Sequence, residues 1–559
     1  MEYNTLQYII AMLKAYKINT VVASPGTRNS CFNYMVQEDS FFECYSVLDE
    51  RSAAYVATGL AYEKQKPVVI TCTGATASRN YLSALTEAYY RKIPIIALTF
   101  LDDNTNRFNI MPQYIDRSVS QNDVKALSVQ LGEINSNEDI SRCLTYLNAA
   151  LSKAVYNNEP VHIDSVSNFE FDRAKKPLPS VWKTEYLNEN FEISPDELKN
   201  KNIAIFIGSH KKFTQAEEDN ISKFAEKNGI PVFCDNTSNY YGKNKIMIAQ
   251  IASMKRLNIF PDLIIDIGEI SGEYSFISCF KKAKIWRISE LCKFANRNNR
   301  PLEKLFCCSE LTFFKKLLDL NLEKSYYFNQ LAELLQDIKI LELPLCNSLI
   351  SMELSKHLPK NSSLHIAILN SLRNSNFFEF DKSIYINCNV GGFGIDGAVS
   401  TLVGQSLANI NKKCFGVIGD TAFFYDMNIL GNKHIKNNLR LIVVNNQKSV
   451  EFRLNSHTCQ QNIQDKADYL IAAAGHNKGG AKGWAESCGF RYMSANTKEN
   501  FLEQIEEFCN CDCESPILFE VFTTTEDEQK GLDLMVNSNR NQIEEGLINL
   551  YKGVKKIIK

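Results

Sequence analysis

Two polar tips at the ends of apolar runs are the residues best placed to do chemistry. Phe415 to Ile418 is a short apolar run ending in Gly419-Asp420-Thr421, and Leu439 to Val444 is another ending in Asn445-Asn446. Both tips fall at the carboxyl ends of buried strands, where open α/β sheets bind ligands. A hard divalent cation such as Mg²⁺ takes oxygen ligands in a near-octahedral array, which a carboxylate, an amide oxygen, a backbone carbonyl and two phosphate oxygens would complete. Asp420 and Asn446, separated by 446 − 420 = 26 positions, are the side-chain candidates. The alternative reading is a strand-end Asp capping the next helix and a turn Asn. A second carboxyl group, Glu50, stands between the apolar run Phe42 to Leu48 and an Ala-rich helix from Ser52 to Lys64. An ordinary first-turn helix acid would occupy the same place.

The elements that must position these groups alternate along the chain. Thr20 to Ala23, Phe42 to Leu48, Val68 to Thr73, Ile93 to Thr99 and Pro160 to Ser165 read as strands with helices between them. Pro177-Leu178-Pro179 marks a linker. A smaller α/β unit follows, with strands Ile203 to Ile207, Pro231 to Cys234, Leu263 to Ile267 and Lys284 to Ile288; a third has Leu364 to Ile368, Ile384 to Asn387, Phe415 to Ile418, Leu439 to Val444 and Ile517 to Val521. Strands alternating with helices imply parallel sheets with right-handed crossovers. The expectation is therefore α/β, with three doubly wound parallel-sheet domains over residues 1–182, 187–320 and 326–559. Ile207-Gly208-Ser209 reads as a turn rather than a nucleotide loop, since a lone Gly-Ser after a strand is a weak signal.

Ser24-Pro25-Gly26-Thr27-Arg28-Asn29-Ser30, Asp49-Glu50-Arg51-Ser52-Ala53, Cys72-Thr73-Gly74-Ala75-Thr76-Ala77, Asn80-Tyr81 and Gly394-Ile395-Asp396-Gly397-Ala398 together resemble one family. It is the thiamine diphosphate-dependent 2-succinyl-5-enolpyruvyl-6-hydroxy-3-cyclohexene-1-carboxylate synthases of the menaquinone pathway. The resemblance is dense over residues 1–126 and 369–454 and thin between them. It implies that Asp420, Asn446 and the Lys448 carbonyl hold Mg²⁺ against the diphosphate. Thr73, Gly74, Ser371, Gly419 and Thr421 are implied as further cofactor contacts, Ile395 as the apolar wedge that bends the cofactor, and Phe452 as a neighbour of its thiazolium. Glu50 is implied as the acid that hydrogen-bonds the aminopyrimidine and promotes ylid formation, a task needing a carboxyl shielded from water. A homodimer or homotetramer is implied as well, with Glu50 and Asp420 of each site drawn from different subunits.

Substrate recognition departs from that family. Its cations hold several carboxylates, because buried anions need paired partners. Arg28 is retained. The Arg expected beside an Asn is Val390, the Lys-Arg pair of the middle domain gives way near Gly272-Glu273-Tyr274, and an Asp-Arg-Pro becomes Asp102-Asp103-Asn104. Asn370-Ser371-Leu372-Arg373 carries its Arg two positions early. Arg117, with Gln113 and Gln121 nearby, stands where a compensating anion contact would fall, since guanidinium matches carboxylates with paired hydrogen bonds; the alternative is a surface ion pair. Arg373, Lys448 and Arg453 are weaker substrate candidates. The main expectation is thus an enzyme that decarboxylates a 2-oxo acid and then protonates it or joins it to an acceptor. The alternative is a genuine synthase of the family's own reaction, and an alternative of another class is a non-catalytic cofactor-binding scaffold or regulatory subunit.

Composition excludes other classes. With 559 residues, of which 45% are apolar and 23% charged, the chain can bury several cores. A net charge of −2 leaves no footprint for nucleic acid. No run approaches a membrane span, and the start lacks a secretory n-region, so a cytoplasmic location is expected. The 17 Cys are scattered as free thiols would be in a reducing compartment. Cys509-Asn510-Cys511-Asp512-Cys513 reads as a helix-to-strand loop rather than zinc, which wants four ligands. Cys307 and Cys308 read as thiols, and His162, within a strand, as a satisfied structural histidine.

Overall fold

Alternating apolar runs and amphipathic helices produce parallel sheets throughout the computed structural model. It describes residues 2–101, 110, 112–115, 121–167, 169–172, 177–253, 259–276, 280, 283–295, 297, 301–336, 342–472, 474–475 and 479–537. The strands fall into three sheets. Contacts gather the chain into two compact units, Met1–Phe191 with Lys284–Ser309, and Glu192–Ala283 with Glu310–Lys559. The central stretch 187–320 thus contributes residues to both.

In the first unit, β1 (Thr20–Ala23), β2 (Glu43–Ser46), β3 (Val68–Thr73), β4 (Ile95–Leu101), β5 (Leu127–Leu131) and β6 (Val161–Val166) pair in the order β2-β1-β3-β4-β6-β5. Every residue of β4 is buried, as its unbroken apolar run requires, whereas the run Phe42 to Leu48, read from the sequence as apolar, supplies an edge strand β2 whose every residue is exposed. The helix Glu50–Lys64 is capped by Asp49, whose side chain accepts from Ser52 N at 3.0 Å. Its small buried face, Ala53, Ala54, Ala57 and Ala61, packs with Val22, Val68 and Ile70. Pro177-Leu178-Pro179 is no free linker: Leu178, Val181 and Trp182 pack against this unit's core, and the Trp182 carbonyl accepts from Asn148 at 3.0 Å.

Of the central strands, β7 (Glu185–Leu187), β12 (Lys284–Ile288) and β13 (Leu302–Phe306) lie in the first unit, where β13 pairs with both others. β8 (Ile203–Ile207), β9 (Val232–Cys234), β10 (Lys245–Met247) and β11 (Leu263–Ile267) lie in the second, ordered β10-β9-β8-β11. Cys307 is not a thiol, contrary to the sequence reading; it is bonded to Cys292, while Cys308 is free and buried.

The last sheet, in the second unit, comprises β14 (Ser363–Ile366), β15 (Tyr385–Asn387), β16 (Cys414–Gly419), β17 (Leu439–Asn445), β18 (Arg491–Ala495) and β19 (Ile517–Phe522), ordered β15-β14-β16-β17-β19-β18. Counted from its own first strand, it has the same order as the sheet of the first unit. In both, the chain leaves the first strand in one direction and returns to pair on its other side. That reversal is the switch point at which doubly wound sheets open a crevice.

Candidate active site

In the second unit a cavity of about 230 Å³ opens at this reversal, between the carboxyl ends of β14 and β16. β14 and the turn after it contribute His365, Ala367 and Ile368, with Asn370 and Ser371 just beyond. The loop before the helix Ala398–Ala408 contributes Asn389, Gly394 and Ile395; the end of β16 contributes Gly419 and the helix Asp420–Asp426 that follows it contributes Asp420 and Thr421; and the segment after β17 contributes Asn446 and Lys448 to Phe452. Ser371, Ile395, Gly419, Asp420, Thr421, Asn446, Lys448 and Phe452, all singled out from the sequence, therefore border one space.

Asp420 is 2% exposed. It does not cap the helix Asp420–Asp426, because Gly419 occupies the cap position; its Oδ1 accepts from Thr421 N at 2.7 Å. A Cβ added to Gly419 would meet no heavy atom within 4 Å, so the wall beside Asp420 is open. Asn446 Oδ1 accepts from Lys448 N at 3.2 Å, and the Lys448 ammonium turns to Asp468 at 3.1 Å. Among the described residues no three His, Cys, Asp or Glu side chains gather as a metal site. The oxygens here are one carboxylate with neutral amide and carbonyl donors, a set that leaves a cation's remaining positions and charge to an anionic ligand.

Several supporting residues escaped the sequence reading. Glu520, fully buried in β19, accepts from Asn445 Nδ2 at 2.6 Å, from Ala481 N at 2.9 Å and from Tyr492 Oη at 2.8 Å. Asn445 Oδ1 in turn accepts from Gln447 N at 3.0 Å, which fixes the turn presenting Asn446 and Lys448. A lone acid inside the apolar run Ile517 to Phe522 was the available signal. Glu528, raised by burial, accepts from Asn347 Nδ2 at 2.9 Å and Asn370 Nδ2 at 3.3 Å. Asn347 Oδ1 then accepts from Ser371 Oγ at 3.2 Å. His365 is wholly buried, and burial lowers its pKa to about 4, so a neutral imidazole borders the cavity.

Arg373 does not line the cavity; it pairs with Glu451, which does, through two bonds of 2.7 and 2.9 Å. Tyr274 meets the edge of Phe393 at 5.6 Å. Glu273 is buried, receives Asn376 Nδ2 at 3.2 Å and is raised by burial, and Val390 is packed in the core. The turn at Gly208-Ser209 is no phosphate cradle, because Gly208 N and Ser209 N already donate to the Ile267 and Ile270 carbonyls.

In the first unit, Arg28 lies after β1 and Thr73 and Gly74 close β3, at that sheet's own reversal. Gly26 is required there, since a Cβ would come within 2.4 Å of Thr73 Oγ1. Glu50 begins the helix after β2, is half-buried, and accepts from Asn80 Nδ2 at 3.2 Å. Within the single chain it lacks the full shielding expected of it. Gln113 and Gln121 are exposed; Arg117, like Asp102 to Asn104, lies outside the described residues. His162 has the structural role expected, with Nε2 2.8 Å from Thr99 Oγ1 and Nδ1 2.9 Å from Ser128 Oγ.

Residues 3–122 match the family model of the N-terminal TPP-binding domain of thiamine pyrophosphate enzymes. Similarity to curated proteins extends much further. The chain is 28% identical over 545 residues to the 2-succinyl-5-enolpyruvyl-6-hydroxy-3-cyclohexene-1-carboxylate synthase of Flavobacterium johnsoniae, covering 93% of this chain and 96% of the relative. It is 28% identical over 548 residues to the synthase of Bacteroides fragilis, with the same coverage, and 27% identical over 473 residues to that of Desulfotalea psychrophila, covering 78% and 84%. The chain thus resembles these synthases along nearly its whole length, including the middle where motifs are sparse. No helix among the described residues is long and apolar enough to cross a membrane.

Proposed function

We propose that this chain is a thiamine diphosphate- and Mg²⁺-dependent enzyme of the 2-succinyl-5-enolpyruvyl-6-hydroxy-3-cyclohexene-1-carboxylate synthase type. From the residues alone that reading stands second, and the full-length similarity supports it better than an unspecified 2-oxo acid enzyme. The observation that carries it is the convergence of Ile395, Gly419, Asp420 and Asn446 on one cavity at a switch point. The donor set fits the cofactor: Asp420, Asn446 and the Lys448 carbonyl would hold Mg²⁺. The open face of Gly419, with Thr421 and Ser371, would admit the diphosphate, and Ile395 and Phe452 would bound the apolar middle. When bound, thiamine diphosphate supplies an electron sink for breaking and making carbon–carbon bonds.

The remaining roles belong to this chain's own groups. Glu50 would accept from or donate to the aminopyrimidine, Thr73 and Gly74 would contribute further cofactor contacts, and Arg28 with Arg117 would take the carboxylate of a 2-oxo acid. Leu48, Tyr55 and Val56 are exposed on the same unit close to Glu50 in sequence. This supports a homodimer or homotetramer in which a second chain covers them. Three domains with the bounds stated above and a cytoplasmic location complete the proposal.

Assay of the purified chain with both cofactors, isochorismate and 2-oxoglutarate tests it; consumption of both substrates is expected. Carbon dioxide release from other 2-oxo acids without use of isochorismate would support the second reading, a different substrate pair, which Val390 and the Arg373–Glu451 pair favour. Cofactor binding without turnover of any 2-oxo acid would leave the scaffold. Glu50→Gln is expected to abolish turnover while sparing cofactor binding, and substantial residual activity would remove Glu50 from its role.

A further inference from the structure

At the opposite end of the last sheet from the cavity, two thiols and two guanidinium groups meet. The helix Lys498–Asn510 ends at Cys511, and the loop into β19 carries Cys513. Their sulfurs are 2.9 Å apart. Arg491, the first residue of β18, places Nη1 3.3 Å from Cys513 Sγ and 4.0 Å from Cys511 Sγ, while its other terminal nitrogen pairs with Glu507. Arg440, in β17, is 1% exposed. It donates to the carbonyls of Asn437, Leu439 and, at 3.3 Å, Cys511, and among the described residues no carboxylate pairs with it. A buried cation without an anionic partner is costly, and a thiolate in this loop would supply that anion.

The thiols differ in a useful way. The hydrogen bond from Cys511 and the Arg491 guanidinium hold the Cys513 thiol below its ordinary range, whereas burial, and then the hydrogen bond shared with Cys513, push Cys511 up. Both are half-buried, and Asp512 between them is 99% exposed, so a small molecule can reach the pair. Reactive thiols occupy such partly exposed electropositive places.

We propose that Cys511 and Cys513 form a redox-active dithiol that exchanges with small-molecule disulfides and closes to an intramolecular disulfide. The Cys513 thiolate attacks one sulfur of the incoming disulfide, whose other half leaves as a thiol. Cys511, giving its proton to solvent, then attacks Cys513 Sγ and expels the second half. Two electrons pass to the incoming disulfide, which leaves as two thiols, and one sulfur–sulfur bond forms in the protein.

The test uses the reduced full chain, glutathione disulfide and peptide mapping. The tryptic segment Glu499–Lys530 contains Cys509, Cys511 and Cys513 and no other cysteine, so its products separate from those of Cys292 and Cys307. Expected are loss of two hydrogens from this peptide, reversed by dithiothreitol, and a stable glutathione adduct on Cys513 in Cys511→Ser. In the reduced protein Cys513 should alkylate severalfold faster than Cys511 at neutral pH, because the Arg491 guanidinium favours its thiolate, and Arg491→Gln should diminish that advantage. The proposal is overturned if the peptide stays unchanged while other exposed thiols react. It is equally overturned if Cys511→Ser still loses two hydrogens, which would assign the bond to Cys509.

Discussion

Gly419→Ala separates space kept for a ligand from space needed by the fold. Gly419 has φ −66° and ψ 152°, a conformation open to alanine. The added methyl would have no heavy atom within 4 Å. At the helix cap alanine is worse than glycine by roughly 0.5–1 kcal/mol, and the gain from a less free unfolded chain is about 0.4–1 kcal/mol. These offset, so the ligand-free variant should melt within about 2 °C of the parent. With thiamine diphosphate and Mg²⁺ at 100 times the dissociation constant, the parent should gain about 2.7 kcal/mol. A methyl forced against a phosphate oxygen costs about 1.4–2.7 kcal/mol, inside the overpacking range, or roughly 10- to 100-fold in affinity. At the same ligand concentration the gain then shrinks to about 1.4–0.4 kcal/mol. Differential scanning fluorimetry with and without cofactor, backed by calorimetric titration, reads both halves. A variant that keeps the parental ligand shift would refute the placement of the diphosphate, and one that unfolds without ligand would refute the open space.

Other perturbations test the supports of the site. Glu520→Ala leaves Asn445 Nδ2 and Ala481 N unpaired in the core and should lower stability by about 3 kcal/mol in denaturant unfolding. Glu520→Gln, which keeps the shape, should fold yet raise the Mg²⁺ concentration needed for half-maximal activity; unchanged metal dependence would exclude the Glu520–Asn445 link to the metal turn. Glu451→Gln removes the charged partner of Arg373 and should lower the KM for an anionic substrate while weakening the fold by about 1–3 kcal/mol; a higher KM would show that Glu451 itself orients the substrate. His365, lowered to about 4 by burial, stays neutral when folded while the unfolded histidine gains a proton below about 6.5. The unfolded state therefore binds more protons between those values, and its contribution, about 3 kcal/mol, is present above pH 6.5 and lost as pH falls towards 4. Urea unfolding of the ligand-free protein should show this slope, and His365→Gln should flatten it.

Strands buried on both faces were legible as continuous apolar runs, and β1, β3, β8, β11 and β12 have the bounds expected of them. The strands that went unread lack that pattern. β5 and β18 are half-exposed edges, β7 and β10 have three residues each, and β13 carries Glu303 and Lys304 within its run. Glu520 and Glu528 act through partners as far as 75 and 181 positions away, separations that no local spacing reveals. Arg373 was legible as a cation but not as a neutralised one, because Glu451 lies 78 positions along the chain.

What the sequence determined by itself is the alternation that makes parallel sheets, and the polar residues at strand ends, because burial on both faces makes strands read as apolar runs in which a polar residue such as Glu520 needs hydrogen-bond partners. What only the tertiary structure decided is which tips meet. The shared strand order of the first and last sheets is invisible in the amino-acid pattern, since strand pairing depends on crossovers between distant segments. It is this order that brings the end of β14 beside that of β16 and makes one cavity from residues 347 to 452.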